Sequence, residues 1–137
     1  MAAQPVQGLL RIAGPADWPL PSWEIPEAVA SAKIIAVSAL LETSATVGDR
    51  FPYLTIADRQ GITVARFTTS EETTNNSIVT ITFAECGEEV QADIAHQSPI
   101  SSQLMVAGDV ITLGLDGLKV GDTWTRPILT LLVDPIA

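Results

Sequence analysis

Cys86 and His96 are the only cysteine and the only histidine of this chain, ten residues apart, and together they could supply a nucleophile and a base. No Asn or Asp near them completes a specific triad, so the pair reads better as a small residue beside a turn and a loop histidine. Asp109, Asp116 and Asp122 sit in or beside glycine-bearing turns and could offer oxygens to calcium. Their spacing matches no calcium-loop motif, and Asp beside Gly is ordinary turn chemistry. Glu71-Glu72 and Glu88-Glu89 are adjacent carboxylates, which a strand would direct to opposite faces, giving solvated surface rather than an acid/base pair. A single cysteine allows no internal disulfide and no multi-thiolate metal site. No phosphate-cradling glycine loop, serine elbow or zinc signature is present. The expectation is a non-enzyme without metal or cofactor.

The elements around these residues read as strands. Thr43 to Phe67 holds a turn at Val47-Gly48-Asp49-Arg50, a strand pattern, a second turn at Asp58-Arg59-Gln60-Gly61 and another strand pattern. In the first, Phe51, Tyr53 and Thr55 share one face and Leu54 and Ile56 the other. In the second, Ile62, Val64 and Arg66 alternate with Thr63, Ala65 and Phe67. Two such runs joined by four residues ending in Gly predict an antiparallel hairpin. Ala28 to Thr46 is long enough for a helix, and Ala and Leu favour one. Its β-branched residues and apolar alternation on both faces predict a long strand instead. Ile78 to Phe83 is a clear strand with Val79, Ile81 and Phe83 on one face, and Glu88 to Ala95 alternates weakly after a turn. His96 to Ser102 is expected to be loop around Pro99. Val110 to Leu115 and Thr123 to Val133 are the closing strands, with Pro127 marking an edge or bulge and Trp124 in the core or an interface.

Residues 1–27 differ in character. Pro15, Pro19, Pro21 and Pro26 exclude helix and central strand, while Trp18 and Trp23 must cover something apolar. The stretch is expected to be an extended arm that either packs over its own domain or reaches a neighbouring subunit. Trp18, Trp23, Pro19, Pro21, Leu9 and Leu10 are its candidate partner-binding residues. Residues 28–137 form one domain. The predicted fold is all-β: an antiparallel β-sandwich, jelly-roll-like, with this Pro/Trp arm in front.

Seven basic against sixteen acidic residues leave a net charge of −9, which repels phosphate backbones and anionic lipid. No nucleic-acid or membrane partner is therefore expected. There is no basic segment followed by a long apolar run at the start, and no stretch near the ~18 apolar residues of a membrane span. With 47% hydrophobic and only 17% charged residues, the chain is apolar enough to bury surface in an assembly.

A resemblance enters at the hairpin stretch. Leu41-Glu42-Thr43-Ser44-Ala45-Thr46, then Val47-Gly48-Asp49-Arg50, then a strand closing in Ile56-Ala57-Asp58 and a Gln60-Gly61 turn, is similar to small β-sandwich virion proteins of tailed bacteriophages. The later VAGDVITLGLDGLKVGDTWT and the final apolar strand follow in the same order, whereas Ile25-Pro26-Glu27-Ala28 departs from that family's usual entry. The resemblance spans Lys33 to Val133 loosely, through short turn-like motifs. It implies a decoration (cement) protein on the capsid exterior, made in the bacterial host's cytoplasm, with the major capsid protein and its own copies (homodimer or homotrimer) as partners. It implies no catalytic residues. Alternatives are a neck or tail adaptor, and a sandwich that binds carbohydrate or a receptor, for which aromatics at 5% are sparse.

Overall fold

A computed structural model describes residues 8–13, 21–70, 72–85, 90–92, 95–101 and 103–135. These hold ten strands and no helix: β1 (Gly8–Ala13), β2 (Ser22–Glu24), β3 (Val29–Glu42), β4 (Phe51–Ala57), β5 (Thr63–Thr68), β6 (Ile78–Glu85), β7 (Val90–Ala92), β8 (Ala95–Ile100), β9 (Val110–Asp116) and β10 (Thr123–Pro135). They form a six-stranded sheet in the order β1-β10-β3-β6-β8-β7 and a four-stranded sheet in the order β2-β9-β4-β5. All pairs are antiparallel except β6 with β8. The two sheets make the predicted β-sandwich. Its jelly-roll character lies in nested pairing, β3 with β10 in one sheet and β4 with β9 in the other.

The strand reading of residues 28–46 holds for Val29–Glu42, with residues 43–46 in loop, and its two-faced apolarity has a structural cause. Along β3 the buried residues are Val29, then Ala32 and Ile34, then Val37, Ala39 and Leu41, so the inward phase changes twice. The register against β10 shifts at the same places, leaving Ala30 and Ile35 unmatched. A one-residue bulge flips every later side chain to the other face. A run alternating in two phases looks apolar on both. On β10 the ladder passes from Thr125 to Ile128 while β3 advances only from Leu40 to Ser38, and Arg126 has φ of 52°. Pro127, which has no N–H to donate, lies in that bulge.

The hairpin forms as predicted. β4 pairs with β5, Leu54 and Ile56 face the core, and the Asp58 carboxylate accepts the Gln60 and Ile62 amides at 2.9 and 3.0 Å. Gly61 closes the turn with φ of 86°. Val79, Ile81 and Phe83 of β6 meet Leu41, Leu54, Leu113, Trp124 and Leu129 in the core between the sheets. Side chains of this size contribute roughly 1.5–3 kcal/mol each by leaving water.

One expectation changes. His96 to Ser102 is not loop: residues 95–100 are β8, parallel to β6, with His96, Ser98 and Ile100 buried. The proline that argued for loop is accommodated in the ladder with β6, where it stands opposite Ala84, and among the described residues it has no partner on its other side, as suits a residue without an N–H to donate. In residues 1–27, the described parts are built into the sheets. β1 pairs with β10 along its whole length, β2 pairs with β9, and Ile25 exchanges backbone hydrogen bonds with the Gly108-Asp109 turn. Trp23 is 4% exposed and Ile25 1%. Trp18 and Pro19 lie outside the described residues, as does Cys86.

Candidate functional site

The densest polar constellation is at the end of the sandwich where the loops 43–50, 69–77 and 117–122 meet. Arg50, fully buried, begins the residues that lead into β4, and its backbone forms a two-way bridge with Thr73. Its guanidinium donates from Nε to Asp122 Oδ2 at 3.0 Å and from Nη2 to Asp122 Oδ1 at 3.2 Å. Further bonds reach the Gly48 carbonyl at 2.6 Å, the Thr46 carbonyl at 2.8 Å and Ser44 Oγ at 3.3 Å. Asp122 in turn accepts the Ser44 and Lys119 amides, each at 2.8 Å. Beside them Thr43 Oγ1 donates to the Thr74 carbonyl at 2.7 Å and accepts the Ser77 amide at 2.8 Å. A buried charge pair is tolerable only when geometry and extra hydrogen bonds offset lost hydration, and here each carboxylate oxygen accepts two hydrogen bonds.

Burial raises the Asp122 pKa. The Arg50 hydrogen bond, the Ser44 and Lys119 amides and the Arg50 charge outweigh it and hold the carboxyl below its ordinary value. A depressed carboxylate stabilises the fold above its unfolded pKa, about 3.9. That stability is lost as pH falls through the folded value. The advantage of the wild type over Asp122→Asn in urea midpoint is therefore expected to be constant above about pH 5 and to shrink steadily below about pH 4. An advantage unchanged down to about pH 2.5 would contradict the ionic pairing.

The other residues considered for chemistry are held apart. Asp116 pairs with Arg66, whose guanidinium lies 4.1 Å from the centre of the Tyr53 ring. That ring covers Gly114 of β9, where any side chain would collide with it. Tyr53 is thus covered by its own sheet and by Arg66, so it does not offer the open face a sugar would stack upon. Asp109 accepts the Val106 amide within its own turn. The three aspartates considered as calcium ligands thus have three different partners, and no group of three metal-ligating side chains occurs among the described residues. His96 faces the core from β8 at 7% exposure. Of the candidate partner-binding residues, Leu9 is 70% exposed and Leu10 packs against the core. Pro21 is buried and accepts the Leu113 amide, and Trp23 is a core residue.

No protein-family model matches the chain, and no curated protein matches it in sequence. Among solved structures it is similar to a protein of the T13 particle of IBDV (infectious bursal disease virus), with a TM-score of 0.45, 10% identity and coverage of 93% of this chain and 31% of that one. The Gt strain of the same virus gives 0.37 and 10%, covering 96% and 38%. Its VP2 subviral particle gives 0.30 and 11%, covering 95% and 42%. This chain therefore spans less than half the length of those proteins, and at these scores no shared function follows. Among the described residues no helix is long and apolar enough to cross a membrane.

The residues that carry the site were only half visible in the sequence. Thr43 to Arg50 and Val120-Gly121-Asp122 stand out as turns, but nothing local indicates that Arg50 reaches across 72 positions to Asp122. A lone arginine closing a polar turn in a chain so poor in cations was the one signal present.

Proposed function

We propose that this chain is a non-enzymatic virion structural protein that binds the outside of a tailed-phage capsid and stabilises it. The observation that carries the reading is the fate of its motif residues. The segments similar to phage virion sandwiches, Thr43 to Arg50 and Val120 to Asp122, are spent on one buried ionic staple that locks loops together. A motif used in this way specifies a rigid scaffold and presents no group to a substrate. The acidic composition keeps such a molecule soluble before assembly and away from packaged DNA. The apolar composition leaves surface for a shell to cover.

Sedimentation with mature capsids of the phage that encodes the chain tests this. Binding at a copy number comparable with the capsid subunits is the expected result. A dozen copies or fewer would move the protein to the neck or tail, and failure to co-sediment would remove the virion reading.

A further inference from the structure

The outward face of the six-stranded sheet has a composition unlike the rest of the molecule. Because Leu129 and Leu131 of β10, Val37 and Leu41 of β3, Val79, Ile81 and Phe83 of β6, and His96 and Ser98 of β8 point inward, their alternates form this face. The register sets them in rows: Arg11, Thr130, Ala36, Ala84 and Pro99; then Ala13, Ile128, Ser38, Thr82 and Gln97; then Thr125, Leu40, Thr80 and Ala95. Most of these side chains are small or β-branched, so the face is flat. Ser38 and Thr82 hydrogen-bond to each other at 3.3 Å across it. A shallow depression on it is lined by Ser38, Ala39, Leu40, Thr80 and Arg126.

Its charge is the second observation. Of the seven cations in the chain, Arg50 and Arg66 are ion-paired and Arg59 donates to the Ala107 carbonyl. Lys119 is half-buried, its side chain lying over Gly48, whereas Arg11, Lys33 and Arg126 are exposed and make no side-chain contact of this kind with a described residue, and these three rise from this one face. Among the described residues the acids on it lie at its ends, Glu42 on one side and Asp134, which accepts Ser31 Oγ, on the other. A face-to-face dimer would bring this cation-bearing surface against itself, which charge disfavours. A flat acidic protein surface complements it in both shape and sign.

Resting on the reading of the chain as a capsid-binding protein, we propose that this face is the one laid on the shell, against an acidic patch of the capsid subunit. The chain supplies its own probe, since Lys33 and Lys119 are its only lysines and only Lys33 is on the face. Acetylation with an amine-reactive ester, read by mass spectrometry, is expected to label Lys33 at least fivefold more slowly on capsids than free in solution, with Lys119 unchanged. The variant Arg11→Glu/Lys33→Glu/Arg126→Glu, all surface changes, is expected to bind capsids on the order of a hundredfold more weakly while its urea midpoint stays put. If the unmodified chain co-sediments but Lys33 labels as fast as in solution, the face assignment falls while the capsid reading stands. A folded variant that binds as well as wild type has the same consequence. If the unmodified chain does not co-sediment, both fall. Protection of Lys33 that rises with protein concentration in the absence of capsids gives the face to a second copy and overturns the proposal.

Discussion

Asp122→Ala is expected to lower the unfolding free energy by about 3–5 kcal/mol, a large part of the roughly 5–15 kcal/mol typical of a domain. The loss is not the value of the Arg50–Asp122 attraction itself. Removing the carboxylate leaves a guanidinium at zero exposure with carbonyl and hydroxyl partners but no counter-charge, and it strands the Ser44 and Lys119 amides. Each stranded donor adds a desolvation cost of its own. The pair and the single change should therefore behave differently. Arg50→Met/Asp122→Leu removes both charges and should cost less than Asp122→Ala, because no charge is left buried. Urea unfolding followed by circular dichroism at neutral pH measures all the members of this cycle. A loss below about 1 kcal/mol for Asp122→Ala, the size of an exposed ion pair, would mean that water reaches the guanidinium and that the loops are not locked as described.

Gly117→Ala should be the most damaging of the glycine changes, at about 2–5 kcal/mol. Gly117 follows β9 with φ of 78°, a conformation costing other residues about 1–2 kcal/mol. In addition its missing side chain leaves room for the Asp49 carbonyl oxygen, and an added Cβ would be driven into that backbone atom. Backbone cannot rotate aside as a side chain can, so an overpacking cost of about 1–3 kcal/mol accompanies the φ penalty. Gly61 is the control. Its φ of 86° is nearly the same, but an added Cβ there meets nothing within 4 Å. Gly61→Ala should therefore show the conformational penalty alone. Thermal or urea midpoints for the two variants isolate the contact, and equal losses would show that Asp49 yields.

The hairpin of β4 and β5 was legible because everything that forms it is local: alternation, an Asp that caps its own turn, and a glycine at the position of positive φ. The long strand β3 was legible as a strand, but its bulges were not, since Ala30 and Ile35 look like any apolar residue until the partner's register is known. β8 escaped for the opposite reason. Pro99 is a strong local signal, and what overrides it is the parallel ladder with β6, a property of another element. Tertiary pairing likewise decided the polar end. Asp122 is recognisable as a turn residue with oxygens to offer, which suits calcium on paper, while its true ligand is a guanidinium far away in sequence. Trp23 shows the same effect. Its proline-rich surroundings read as an arm over this domain or a neighbouring subunit, and three residues of ladder with β9 place the indole in the domain's own core.

The position of β10 has a consequence for how the chain becomes a protein at all. The thirteen residues from Thr123 to Pro135 are synthesised after the nine other described strands, yet they lie between β1 and β3 in the larger sheet. Until they leave the ribosome, β1 has no neighbour and one side of β3 lacks its ladder. The sandwich can therefore close only after nearly all of the described chain has emerged, and by contacts between residues far apart in sequence, which is the slow route among small domains. During that interval the apolar inner side of β3 is open to other nascent chains. A high acidic charge on the unfinished polypeptide is then useful before any particle exists, because it keeps neighbouring copies apart while the middle strand arrives.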